Sequence, residues 1–171
     1  MLDLTLEVDV YKITVRRQLN CERGIDLSTE QTPPYALSIK QPWAALVVQG
    51  LKAIEIRRWP TARRGRILIH AARVPDARLE VWRHVPDDLN TLAQLQGGII
   101  GAVELSGCLK YPDLTAFVAD QALHFNEPSW FEPGLYGFTF TKPEIIPFQK
   151  YPGWFRFFKV TEPKPARSHP E

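Results

Sequence analysis

The sequence predicts an α+β fold, with a mostly antiparallel, barrel-like sheet flanked by short helices. Three observations predict it. Period-two apolar alternation recurs more often than helical spacing, so strands outnumber helices. Strand and helix signals do not alternate regularly, which argues against a parallel βαβ sheet. The 15 prolines are spread along the 171 residues, so the elements are short.

Residues 2–10, LDLTLEVDV, alternate strictly and read as a half-buried strand. Residues 16–32 are polar and aperiodic, a linker ending at Pro33–Pro34. Residues 1–34 are therefore expected to be an extension with an added strand, laid on a main domain over 35–160. Residues 161–171 form a polar, proline-bearing tail expected to be disordered.

Within the main domain, 37–39 is a short strand. Pro42 suits a helix's first position, where a missing N–H is harmless. Trp43, Leu46 and Val47 follow at i, i+3, i+4 spacing, and Gly50 supplies a left-handed residue to end the helix. Residues 53–59 form a strand with Ile54 and Ile56 on the core face and Glu55 and Arg57 on the other. Lys52 stands just ahead of it, its long stem within reach of Glu55. Pro60 breaks the strand, and 62–65 is a turn carrying Arg63 and Arg64. Residues 66–71 form a strand with Ile67 and Ile69 inward. Residues 76–84 and 87–96 read as helices, the second with Leu89, Leu92 and Leu95 as its stripe and Asp87 or Asp88 as cap. A strand over 99–105, a short helix over 112–119 and aromatic-rich strands over 135–140 and 154–160 complete the domain.

The chain is 44% hydrophobic and 11% aromatic, enough to bury a real core. Cys21 and Cys108 are far apart and make no ligand pair, so no metal is expected. A reduced, cytoplasmic protein is the simplest expectation. The N-terminus is acidic where a signal peptide needs a basic start, and no apolar run approaches a membrane span. No glycine-rich phosphate loop, Ser-His-Asp spacing or redox motif is present, so no cofactor is expected.

Charge is uneven. Residues 52–73 hold seven basic groups and one acid, while the rest of the chain holds 14 basic and 18 acidic residues, within a formal net charge of +2. A segment that departs so far from its own protein is the first place to seek an anionic partner. Arg57, Arg63, Arg64 and Arg66 suit phosphates, and Trp59 suits a base face, as unpaired nucleotides require; the plain alternative is a solvated arginine turn. Trp43 reads as core before platform. Gln41 carries an amide able to read a base edge or to cap the helix. His70 shares a strand face with Arg66 and reads as a satisfied structural histidine before a site residue. Trp130 and Tyr136 are read as core aromatics that could also line the far wall of a cleft.

Three stretches stand in fixed order: LSIKQPWA (Leu37–Ala44), GLKAIEIRRWP (Gly50–Pro60) and RGRILIHAA (Arg64–Ala72). GGIIGAVELSGCL (Gly97–Leu109) and LYGFTF (Leu135–Phe140) follow. Together they resemble the ASCH domain, a small β-barrel family related to PUA-type RNA-binding domains, over about residues 35–160. The resemblance implies a cleft beside the Q-P-W helix that takes RNA or another nucleotide-like ligand, here formed by Lys40, Gln41, Pro42, Trp43, Lys52, Glu55, Arg57 and the 63–66 turn. It also implies an enzymatic alternative. Some members are amidohydrolases of N4-acetylcytidine or ribonucleases, with a lysine at the Lys52 position. The amidohydrolase motif has a threonine where this chain has Glu55, and a later helical glutamate for which Glu127 is the candidate. Catalysis would then fall to Lys52 as base and Glu55 as proton shuttle. The residues themselves weigh differently: burial frees a lysine to act as a base, whereas a neighbouring carboxylate holds its charge on. Beside Glu55, Lys52 suits holding a phosphate or carbonyl oxygen. The plain alternative is an ordinary ion pair of Lys52 and Glu55, with Arg57 sealing a barrel mouth. A third expectation is a protein partner paired through the 2–10 strand.

Overall fold

The computed structural model describes residues 34–161. The expected 2–10 strand, its protein partner and the 161–171 tail beyond its first residue lie outside the described residues. Six strands and five short helices follow in order: β1 (Tyr35–Ile39), α1 (Trp43–Val48), β2 (Ile54–Arg57), β3 (Gly65–Ala71), α2 (Leu79–Trp82), α3 (Asn90–Ala93), β4 (Gly98–Lys110), α4 (Leu114–Ala119), α5 (Gln121–His124), β5 (Tyr136–Lys150) and β6 (Phe157–Lys159).

The strands form one sheet in the order β2-β5-β4-β3-β1-β6. Four ladders are antiparallel. The β1–β3 ladder is parallel, with Ser38 opposite His70. The expectation of a mostly antiparallel sheet is thus right only in part. The chain leaves β1 through α1 and β2 before β3, and such a crossover sets two strands side by side in the same direction.

The sheet is also not a closed barrel. β2 has four residues and β6 has three, and Pro60 follows β2 without a donor of its own. No ladder joins these two edges. Curvature comes from β4 and β5, whose pairing carries three register shifts; bulges of this kind bend and twist a sheet. β2 is thereby carried round to face β1 and β6. Side chains bridge the remaining gap: Trp59 sits edge-on to Phe138 at 4.9 Å and to Phe157 of β6 at 5.5 Å.

All six residues of α1 are buried, so this helix is a plug rather than a one-faced surface helix. It packs on β3, β4, β5 and α3. Ile67 and Ile69 meet it from the sheet, as their alternation predicts, together with Leu37 and Ile39. Ile56 departs from expectation. It is half-buried, against a second cluster of Tyr111, Phe117 and Leu135.

Two predicted helices are shorter than their patterns. Over 76–84 only Leu79–Trp82 is helical, because Asp76 Oδ1 accepts from the backbone N–H of Arg78 at 3.1 Å and Arg78 stays extended. Over 87–96 a 3₁₀ turn, Asp87–Leu89, leads into α3, and neither aspartate caps it. Asp113 does cap α4, accepting from Ala116 N–H at 2.8 Å. The 99–105 and 135–140 strands run on as the long β4 and β5. The 154–160 strand shrinks to β6, leaving Trp154, Phe155 and Arg156 in a loop.

Candidate functional site

Pro42 is the N-cap of α1 rather than its first residue. Gln41 before it is fully buried. Its side-chain amide donates to the carbonyls of Leu92 and Leu95, each at 2.9 Å, and its Oε1 accepts from Ala45 N–H at 3.0 Å. No polar atom of that side chain is left for a base edge, so the helix-cap alternative is the one observed.

At the other end of α1, Gly50 takes φ +83°, a conformation that glycine adopts without strain. The next two N–H groups, of Leu51 and Lys52, fold back onto the Leu46 carbonyl at 3.0 Å. This turn drives the Lys52 side chain inward, where the residue is only 1% exposed. Its Nζ donates to the His124 carbonyl, lies 3.7 Å from Glu55 Oε2 and sits 4.8 Å from the centre of the Trp43 ring. Burial draws the Lys52 pKa down from 10.5 to about 8; Glu55 opposes that shift and Arg57 adds to it.

The register of β2 puts Glu55 and Arg57 on one face, and they meet at 3.2 Å. Arg57 Nη2 also donates to the Ser38 carbonyl at 2.8 Å. Its Nε is buried with no hydrogen-bond partner.

The opposite wall rests on Asp76. Oδ2 accepts from Trp43 Nε1 at 3.0 Å and from Arg78 Nη2, while Oδ1 accepts from Arg78 Nε at 2.9 Å. Burial raises the Asp76 pKa, but the hydrogen bonds from Arg78 and Trp43 outweigh it and bring the value down to about 2. The Arg78 guanidinium carbon sits over the Trp130 ring, 3.8 Å from its centre.

These groups enclose an open cavity of about 540 Å³, lined by Lys40, Trp43, Lys52, Glu55, Arg57 and Arg78 among others. A second hollow of about 660 Å³ adjoins it, sharing Arg57, Arg78 and Phe155 and adding Trp59 and Trp130. A cation cluster beside aromatic walls can hold an anion or a carbonyl oxygen and cover a flat ring.

The remaining sequence-predicted residues go elsewhere. Arg63 lies on the Tyr35 ring at 3.5 Å. Arg64 bonds the carbonyls of Thr61 and Arg63, and Arg66 pairs with Glu144 at 2.7 Å. None of the three lines either hollow. Trp59, by contrast, does line the second hollow, wedged between Phe138 and Phe157. Tyr136 lies in β5, opposite Arg57 of β2, and packs at the margin of the core. Glu127 is the N-cap of the 3₁₀ turn Pro128–Trp130, outside both hollows. His70 is buried, as the structural reading expects. Its Nε2 meets the Tyr151 carbonyl at 2.9 Å and its Nδ1 the Ser38 hydroxyl at 3.1 Å. A carbonyl only accepts, so Nε2 carries the proton and Ser38 donates to Nδ1. Burial lowers the His70 pKa, in keeping with a neutral ring.

Sequence reasoning missed Asp76, Arg78, Asn126, Trp154, Phe155 and Arg156, all of which line the central cavity. The dipeptide Pro152–Gly153 was the usable signal for the last three, because it marks a turn rather than a strand.

Comparison with known proteins agrees with this fold. The crystal structure of ASCH from Zymomonas mobilis superposes with a TM-score of 0.55 at 14% identity, covering 77% of this chain and 90% of that one. A mutant form of the same protein gives 0.54, covering 76% and 91%. Activating signal cointegrator 1 from Homo sapiens is 31% identical over 101 residues, 47% of this chain and 16% of that protein; the Mus musculus protein gives the same figures. The aligned stretch is thus a small part of those relatives. Among the described residues no helix is long and apolar enough to cross a membrane. The ASCH domain family matches residues 37–165, and the chain belongs to that family.

Proposed function

We propose that the central cavity binds RNA, as a single-stranded or modified-nucleotide element. One observation carries this reading: Lys40, Lys52, Arg57 and Arg78 line one cavity together with the exposed rings of Trp154 and Phe155. Glu55 is the acceptor suited to an exocyclic amine, and the cations are suited to phosphates. Binding to single-stranded RNA, duplex RNA and DNA over a salt series tests it. Four phosphate contacts on a single strand give a log–log salt slope of about −3. A flat salt response, or no binding at all, rules the reading out.

One feature favours a second reading, amide hydrolysis of an acylated nucleoside. Lys52 is buried with its pKa down to about 8, beside Glu55, as a lysine acting as base requires. Release of cytidine from N4-acetylcytidine, abolished in both Lys52→Ala and Glu55→Ala, supports it. No turnover by the purified protein removes it.

A further inference from the structure

The loop 152–156 separates three hollows rather than two. The third, about 320 Å³, lies beyond β1 and is lined by Ser38, His70, Arg73, Tyr151 and Trp154 among others. Trp154 borders this hollow and the central cavity, and Phe155 borders the central cavity and the second hollow. The three spaces are therefore strung along one loop, with an aromatic side chain at each junction.

Neither ring serves the core. Trp154 is 71% exposed and Phe155 is 76% exposed. Two adjacent large rings held in water on a turn call for a partner. The loop is shaped to present them. Arg156 takes φ +59°, and its guanidinium stands 5.3 Å from the Trp59 ring and 5.6 Å from the Phe155 ring. The walls match an anionic strand: seven basic side chains against three acidic ones line the three hollows. Each acid already has a basic neighbour, Glu55 with Arg57, Asp76 with Arg78 and Glu132 with Arg58.

We infer that the 152–156 loop is a stacking rail for single-stranded RNA, and that the ligand is a short oligonucleotide laid across all three hollows. Trp154 and Phe155 each take the face of a base, and Arg73, Arg78 and Arg58 follow the backbone from one hollow to the next. This inference rests on the RNA reading of the central cavity and extends it. A duplex hides the faces these rings need, and a mononucleotide fills one hollow of three. An acidic peptide satisfies the cations but offers no flat faces for the rings.

The test is a length series on the full chain at fixed low salt: UMP, then oligouridylates of two, three, four and eight nucleotides, with polyglutamate as competitor. Affinity is expected to climb with length to three or four nucleotides and then level off. Each stacked base contributes about 5- to 150-fold. Trp154→Ala and Phe155→Ala are each expected to remove one such step while leaving the circular dichroism spectrum and the salt slope unchanged, since both rings are exposed. UMP binding as tightly as the trimer, polyglutamate competing as well as the tetramer, or a double variant that keeps the full climb would each overturn the rail. If that double variant binds normally while Arg78→Ala does not, the rail fails and the RNA reading of the cavity stands. If the wild type binds no oligonucleotide, both fall together.

Discussion

Arg57 of β2 donates from Nη2 to the Ser38 carbonyl of β1 at 2.8 Å, joining strands near opposite ends of one six-stranded sheet. No backbone ladder crosses that gap, so a side chain does what a barrel would do with hydrogen-bonded strands. The same guanidinium holds Glu55 at 3.2 Å. Arg57 thus shares closure of the sheet with Trp59 and also shapes the cavity.

Arg57→Ala should lower both stability and binding. It leaves the Ser38 carbonyl without that donor and Glu55 with Lys52 alone. A buried acceptor stripped of its partner costs about 1–3 kcal/mol, and more where the group left behind is charged. Urea denaturation should show that loss, and single-stranded RNA affinity should fall at least tenfold. Arg57→Lys should recover only part of each, because one ammonium cannot reproduce a planar fork. An alanine variant as stable as the wild type would mean that the bridge is incidental.

Asp76→Asn tests the opposite wall. The folded pKa of about 2 lies below the ordinary 3.8, so the carboxylate's contribution is present in full above pH 3.8. It is lost as pH falls through 2. The shift corresponds to about 2 kcal/mol. Denaturation at pH 7 should show a deficit of that order in the variant, and the deficit should shrink toward pH 2. An equal deficit at both pH values would assign the effect to packing.

Much of this was legible in the residues. Alternation placed Ile67 and Ile69 inward, and strand register placed Glu55 beside Arg57. The fate of Gln41 was not legible, because its partners, the carbonyls of Leu92 and Leu95, are 51 and 54 residues away. The Trp154–Arg156 loop was misread because aromatic content signals strand and core alike. Only the turn before it and the left-handed Arg156 hold those rings out in solvent. Asp76 was read into a helix because nothing in a periodic pattern announces that a side chain will capture the Arg78 N–H.

Lys52→Met should change how stability varies with pH. The folded pKa of about 8 lies below the ordinary 10.5. The unfolded chain therefore binds this proton more tightly, and wild-type stability rises as pH climbs from about 8 to 10.5. Below pH 8 the burden of the buried charge is present in full. Relative to Lys52→Met, the wild type should gain up to about 3 kcal/mol across that window. The comparison cancels the other groups that titrate there. Denaturation of both proteins at pH 7, 8, 9 and 10 reads it, and parallel stability curves would show that Lys52 keeps an ordinary pKa.

The arginine turn gives the sharpest contrast between charge along the chain and charge in space. Arg64 and Arg66 belong to the most basic segment of the sequence, yet neither lines the central cavity or the hollow beside it. Arg66 is already paired with Glu144. Arg78 lies outside that segment, but it is fixed by Asp76 and sits over the Trp130 ring, lining both hollows. The Arg64→Ala/Arg66→Ala double variant should bind single-stranded RNA within about twofold of wild type at moderate salt, where charges beyond the Debye length of about 10 Å are screened. Arg78→Ala should lose about tenfold or more and flatten the salt slope by about 0.7, the share of one phosphate on a single strand. Fluorescence titration of the two variants at matched salt decides between them. The reverse ranking would move the binding surface out of the cavity and onto the turn.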